Sequence, residues 1–263
     1  MEATFEKQGF LKKLKSMLKV DFKRTFTMPL VYIMAGVSLV VPILILVMTT
    51  MMGGEAEGEA AMQGFTNVWQ AIGSVSGSAD AGAMAMDITG MCNINLMYFL
   101  VAIFVCVFVS EDFRSGYAKN LFTVRSKKID YCISKTAVGL AGGMIMIIAY
   151  FIGAMLGGAI AGLPFTTEGF GAGGVVACMF CKLFLVAIFV AIALTLSVVG
   201  KQRLWISILG SLAACALLFT MLPIISPLNS NFINVIMTLA GGALFAAGLG
   251  AISNLILTKT SLV

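Results

Sequence analysis

The chain has 263 residues, of which 60% are hydrophobic and only 11% charged, against roughly 25% charged in a soluble domain. A soluble fold of this length cannot bury so much apolar surface, because its exterior must still be covered with polar groups. The net charge of +5 does not point to nucleic acid, since the basic residues gather at the ends of apolar runs, where they act as topology signals.

Those apolar runs are long and continuous, without the period-two alternation of a barrel, so the expectation is an all-α integral membrane protein. Residues 1–29 come first and carry seven basic side chains: Lys7, Lys12, Lys13, Lys15, Lys19, Lys23 and Arg24. Phe10, Leu11, Leu14, Met17, Leu18, Phe22 and Phe26 recur every three or four residues, which is one face of an α-helix. This predicts an amphipathic interfacial helix lying on the cytoplasmic membrane surface, attracted to anionic lipid. It serves either as a topology anchor or as a surface for a cytoplasmic partner. Pro29 marks a break before the first span, and the stretch is too long for the n-region of a cleavable signal.

A span needs about 20 apolar residues. Six segments approach or meet this, at about 30–52, 92–110, 136–162, 175–199, 204–222 and 232–257, so residues 30–263 form one six-helix transmembrane domain. The loop 53–91 contains Glu55, Glu57, Glu59, Asp80 and Asp87 with no basic residue. It is therefore expected outside, as a solvated connector or as an extracellular gate. Its methionines Met84, Met86 and Met91 read as flexible packing rather than as metal ligands. Residues 111–135 carry six basic side chains, Lys201 and Arg203 separate the fourth and fifth spans, and Lys259 follows the sixth. All of these fall on the side of the N-terminus, which the positive-inside rule makes cytoplasmic for both termini.

The stretch 110–135 is longer than a passive connection requires. Ser110, Glu111 and Asp112 predict a helix start. Phe113, Tyr117, Leu121 and Phe122 then give an amphipathic face, Arg125 lies near its end, and Ser126 can cap the next helix. This element is either a docking surface or an interfacial anchor. In the third span Gly139/Gly143, Gly153/Gly157 and Gly158/Gly162 have GxxxG spacing, which serves helix packing within the chain or a dimer face. Lys182 breaks the fourth span. It is expected to snorkel outward, unless the segment before it is re-entrant or interfacial.

Catalytic chemistry is sparse. There is no histidine, hence neither the usual general base nor the commonest zinc ligand. Gly200-Lys201 is followed by Gln202 and makes no phosphate loop. Cys106, Cys178, Cys181 and Cys215 lie in apolar runs and are expected to be small hydrophobes rather than a metal or redox site. Intramembrane charge is too scarce for a typical ion-coupled carrier, and the halves lack matched broken segments. No enzyme activity, metal or cofactor is expected in this chain.

A basic amphipathic N-terminal helix, six spans and a long first cytoplasmic loop resemble an ABC-2-type transporter permease. The residues that carry the resemblance are Glu111, Gly116, Lys119, Arg125, Tyr131 and Lys135. The resemblance implies that the loop is a coupling helix docked in a groove of a separate ABC ATPase, present in two copies, which binds ATP and Mg. Phe113, Tyr117, Leu121 and Phe122 would be its knobs, with Glu111, Arg114, Gly116, Lys119 and Arg125 around them. It also implies a second permease copy, most simply as a homodimer, in a bacterial cell membrane. By size the chain is similar to bacteriocin-immunity and phenol-soluble-modulin exporters, so amphipathic or antimicrobial peptides are the implied substrates. The alternatives are a non-transporting membrane scaffold and an autonomous channel or carrier.

Overall fold

The computed structural model describes residues 10–52, 65–74, 93–124, 128–167, 169–219 and 221–259, and among these there is no strand. The helices are α1 (Phe10–Thr27), α2 (Pro29–Met52), α3 (Met97–Arg114), α4 (Tyr117–Val124), α5 (Ile129–Ala161), α6 (Gly171–Gly200), α7 (Leu204–Phe219), α8 (Leu222–Ile225) and α9 (Phe232–Lys259). Short 3-10 turns stand at Val68–Ala71 and Ile94–Leu96, the second leading directly into α3. Five helices are long and apolar enough to cross a membrane: α2, α3 with its leading turn, α5, α6 and α9. The chain is thus an all-α multi-pass membrane protein. α7 has 16 residues, about 24 Å of helix, and falls short by itself.

Small residues set the packing. A Cβ on Gly139 would meet Val190 at 2.7 Å and Val105 at 3.2 Å, and one on Gly143 would meet Val186 at 2.5 Å and Val101 at 3.0 Å. These two glycines therefore seat α5 between α3 and α6. A Cβ on Gly153 would collide with the Leu39 carbonyl oxygen, and one on Gly157 would meet Cα of Ile43 at 2.8 Å, which seats α2 on α5. Gly158 receives Val68 of the first turn, and Gly162 ends α5 in the left-handed conformation, at φ 70°. The first two GxxxG pairs of the third span are thus occupied by this chain's own helices, whereas in the third pair only Gly158 is occupied, by the Val68 turn.

Pairings give the directions. Tyr98 reaches the Lys182 carbonyl and the Cys106 thiol lies beside the Ala193 carbonyl, so α3 and α6 run parallel. Gly242 sits on Phe184, and Ser253 bonds Thr195 at 3.0 Å, so α9 follows them. α2 and α5 run the opposite way. α7 joins α2 and α5, because Ser207 contacts Gly200 while Ser211 contacts Cys106 further along. Beyond α8, the Leu228 amide donates to the Ser74 carbonyl at 2.8 Å and Cys178 donates to the Ser226 carbonyl at 3.4 Å, at the N-terminal end of α6. At the other end of the bundle, Lys128 donates to the Leu257 carbonyl.

Three expectations change. Ser110, Glu111 and Asp112 do not start a helix: α3 continues through them to Arg114, and the break comes at Gly116, whose φ of 74° a side chain disfavours. Lys182 does not snorkel, and α6 is continuous around it; the ammonium is fully buried and donates to Asn95 Oδ1 at 2.6 Å. The buried line of α1 is Met17, Asp21 and Thr25, while Leu14, Leu18 and Phe22 are half-buried and Phe26 is exposed. The side chains of Phe10 and Leu11 lie outside the described residues, as do Arg125, Ser126 and most of the loop 53–91. The break expected at Pro29 is present, at Met28.

Replacing Gly153 with alanine should cost about 1–3 kcal/mol, the usual cost of overpacking, because the facing atom is backbone and cannot swing away. Gly250, with nothing within 4 Å of an added Cβ, should tolerate alanine or gain slightly. Thermal unfolding of the two variants in detergent compares them directly, and equal midpoints would refute the packing assignment.

Candidate functional site: a buried ion cluster at the basic end

Three helices and the start of a fourth converge where α3 ends. On α5, Tyr131, Ser134 and Lys135 share a face by their spacing of three and four. On α1, Asp21 and Arg24 do the same, and Phe108 and Asp112 lie one turn apart on α3. Lys135 Nζ stands 2.9 Å from Asp21 Oδ1 and 2.7 Å from Asp112 Oδ2. Arg24 Nη1 donates to Asp112 Oδ1 at 2.7 Å. Ser134 donates to Asp21 Oδ2 at 2.6 Å, and Tyr131 to Asp112 Oδ2 at 3.1 Å. Every carboxylate oxygen of the two aspartates therefore has a donor.

The cluster balances two acids against two bases. That balance is what allows Asp21, Asp112 and Lys135 to be buried together, since an unpaired charge would cost several kcal/mol. Aromatic faces complete the lining. Lys135 Nζ lies 4.1 Å from the Phe108 ring centre, and Arg24 lies 4.6 Å from that of Tyr117, both within cation–π range. Burial works to lower the Arg24 pKa, but the Asp112 carboxylate more than offsets this and holds it above its ordinary value. Burial, with Asp21 and Asp112, raises the Tyr117 phenol, which stays neutral as a face for Arg24. The acids of α3 occupy its last turn, the wrong end for the helix dipole, so the two cations also correct a local mismatch.

The residues read from the sequence as a docking element divide between two faces. Phe113 is buried, and Phe122 meets Tyr131 edge-on at 5.3 Å. Leu121 and Phe122 pack on the bundle core, and Tyr117 lies under Arg24. The aromatic face of α4 thus packs, half-buried, on this chain's own helices. Glu111, Arg114, Lys119, Asn120 and Thr123 point outward, and Gly116 forms the hinge between α3 and α4. Glu111 and Arg114 approach only to 4.0 Å with both side chains half-exposed, a contact worth little. Tyr131 and Lys135, noted in the resemblance, belong to the buried cluster, and the acid that meets them is Asp112 rather than Glu111.

Asp21 is absent from the sequence reading altogether. Its signal is local: the one acid of α1 falls in line with Met17 and Thr25 on the face that should be apolar. Among the described residues, no three cysteine or acidic side chains converge as a metal site.

Changing Asp112 to asparagine leaves Lys135 and Arg24 short of a counter-charge and should destabilise the chain by about 3–5 kcal/mol, as breaking a buried pair does. The pair Asp112→Asn with Lys135→Met removes one charge of each sign and should lose less than the sum of the two single changes. A double-mutant cycle by thermal or denaturant unfolding measures this, and strict additivity would mean that the two groups do not interact.

Compared with family models, with curated proteins and with solved structures, the chain matches none.

Proposed function

We propose that the chain is the permease subunit of an ATP-driven exporter, with six crossings and both termini on the cytoplasmic side. The observation that carries this is the short helix α4, which presents a polar outer face while its aromatic face and the adjoining ion cluster tie it to α1, α3 and α5. A partner that pulls or turns α4 acts directly on two spans. Lys119, Asn120 and Thr123, with Arg114 and Glu111 beside them, are the surface offered to a cytoplasmic ABC ATPase that would bind ATP and Mg.

Six crossings are supported by the alternating helix directions and by the path of α7 and α8. That path starts beside Gly200 and ends at Ser226–Leu228, next to Ser74 and Cys178. α7 alone is short, but α7 with α8 and the turn to Leu228 runs from Gly200 to Gly174, most of the length of α6. The contact of Lys128 with Leu257 brings the end of α9 to the end that holds α1. A homodimer is part of the reading by resemblance only, and so are amphipathic peptide substrates. Lys182 favours a second reading, an autonomous carrier; purified protein that moves solute in liposomes without an ATPase would select it.

Two experiments test the proposal. Cysteines introduced at the exposed Gln202 and Asn231 should label from opposite sides of the membrane with an impermeant maleimide; the five described native cysteines are buried. Labelling from one side would remove the crossing by α7 and α8. Separately, Lys119→Glu with Thr123→Glu should reduce co-purification of an ABC ATPase at least tenfold without lowering the unfolding midpoint. Retained association would exclude α4 as the docking element.

A further inference from the structure

Lys182 lies eleven residues beyond Gly171, about 16 Å along α6. Its side chain is fully buried, and its ammonium donates to a neutral acceptor, Asn95 Oδ1. Among the described residues no carboxylate lies within ion-pair distance, whereas Lys135 has two. Asn95 is equally buried; its backbone N–H donates to Asn93 Oδ1, and its side-chain Nδ2 has no partner. Among the described residues the centre therefore has one positive charge in excess and a surplus of donors, since an ammonium has three and a carboxamide two. Such a set recognises an anion with two acceptor oxygens and repels a cation.

The neighbouring surface is shaped for a hydrocarbon chain. Val175 and Met179, seven and three residues before Lys182 on the same side of α6, border a groove of about 220 Å³ completed by Phe151, Val176, Phe180 and Leu183. Every lining residue is apolar, and Val176 and Phe180 are exposed. The unbranched Met179 stands one turn from the lysine and can repack around a ligand.

We propose that Lys182 and Asn95 bind the carboxylate head of an amphiphile whose apolar chain lies in this groove. One carboxylate oxygen accepts from Lys182 Nζ and the other from Asn95 Nδ2, and the single negative charge neutralises the centre. The carboxylate belongs either to a fatty acid or to the C-terminus of an apolar peptide. This site does not depend on an ATPase partner.

Trp69 reports on it, because Trp69, Phe151 and Met179 pack in one outer cluster. In the full chain in nanodiscs, with Trp205→Phe to leave Trp69 as the sole indole, a mid-chain brominated fatty acid should quench fluorescence saturably. The matching brominated alcohol should not. Lys182→Met should weaken quenching by the acid at least tenfold. Asn95→Asp places a carboxylate beside the ammonium; it should weaken quenching as strongly and raise the unfolding midpoint. Undiminished quenching in either variant, or equal quenching by the alcohol, overturns the proposal. So does a lowered midpoint for Asn95→Asp, the result expected of a centre already neutralised. An oligoleucine peptide with a free C-terminus, and its amidated form, separate the two sources. Displacement by the free peptide alone assigns a peptide carboxylate, displacement by neither assigns a fatty acid, and displacement by both overturns the assignment.

Discussion

A lysine buried between two aspartates organises the basic end of this protein. Lys135 cannot be charged and dry without counter-ions, and it takes them from two elements far apart in sequence, Asp21 on α1 and Asp112 on α3. Meeting that need fixes α1 against the bundle and places the last turn of α3. Arg24 then balances the second acid and covers Tyr117, the first residue of α4. The orientation of the short helix is thus a consequence of charge neutrality beneath it.

The fold was legible where the physics is local. Long apolar runs give the spans, and Pro29 gives the break between α1 and α2, because both depend on neighbours in sequence. The chemistry of the ion cluster was not. Asp21 and Lys135 are 114 positions apart, and no periodicity announces that one will neutralise the other. Ser110, Glu111 and Asp112 looked like a helix start because capping signals are read without knowing what comes before them. In the fold they follow an unbroken α3, and the tertiary cations override the dipole preference. The face of α4 is a similar case. An aromatic stripe says that something will be covered, and within the chain Phe122 meets Tyr131 and Leu121 packs on the core.

Lys182 shows the same limit from the opposite side. Sequence placed a charge inside a span and supplied the general remedy, a side chain reaching for water. What sequence could not supply was the start of α3 at that depth, with Asn95 offering an amide oxygen and Tyr98 tied to the Lys182 carbonyl. The remedy adopted is partial. The ion cluster has every oxygen of Asp21 and Asp112 satisfied and no net charge, whereas the Lys182 centre keeps a positive charge and an idle donor.

These two centres sit at opposite ends of one helix. Asn95 precedes α3 and Asp112 lies in its last turn, about 26 Å apart along the axis. Between them, Val101 and Val105 are locked against Gly143 and Gly139, and the same glycines seat Val186 and Val190 of α6. Interlocked packing of this density does not slide by fractions of a side chain. An axial movement of α3 would have to strip Asp112 from Arg24 and Lys135 at one end and Asn95 from Lys182 at the other. Any working motion of the bundle must therefore carry α3, α5 and α6 together. α9 is seated on this unit through Gly242 on the Phe184 backbone and Ser253 on Thr195, while its other face, with Gly241, Gly248 and Gly250 in open space, carries exposed large apolar side chains. The rigid unit thus contains both polar centres.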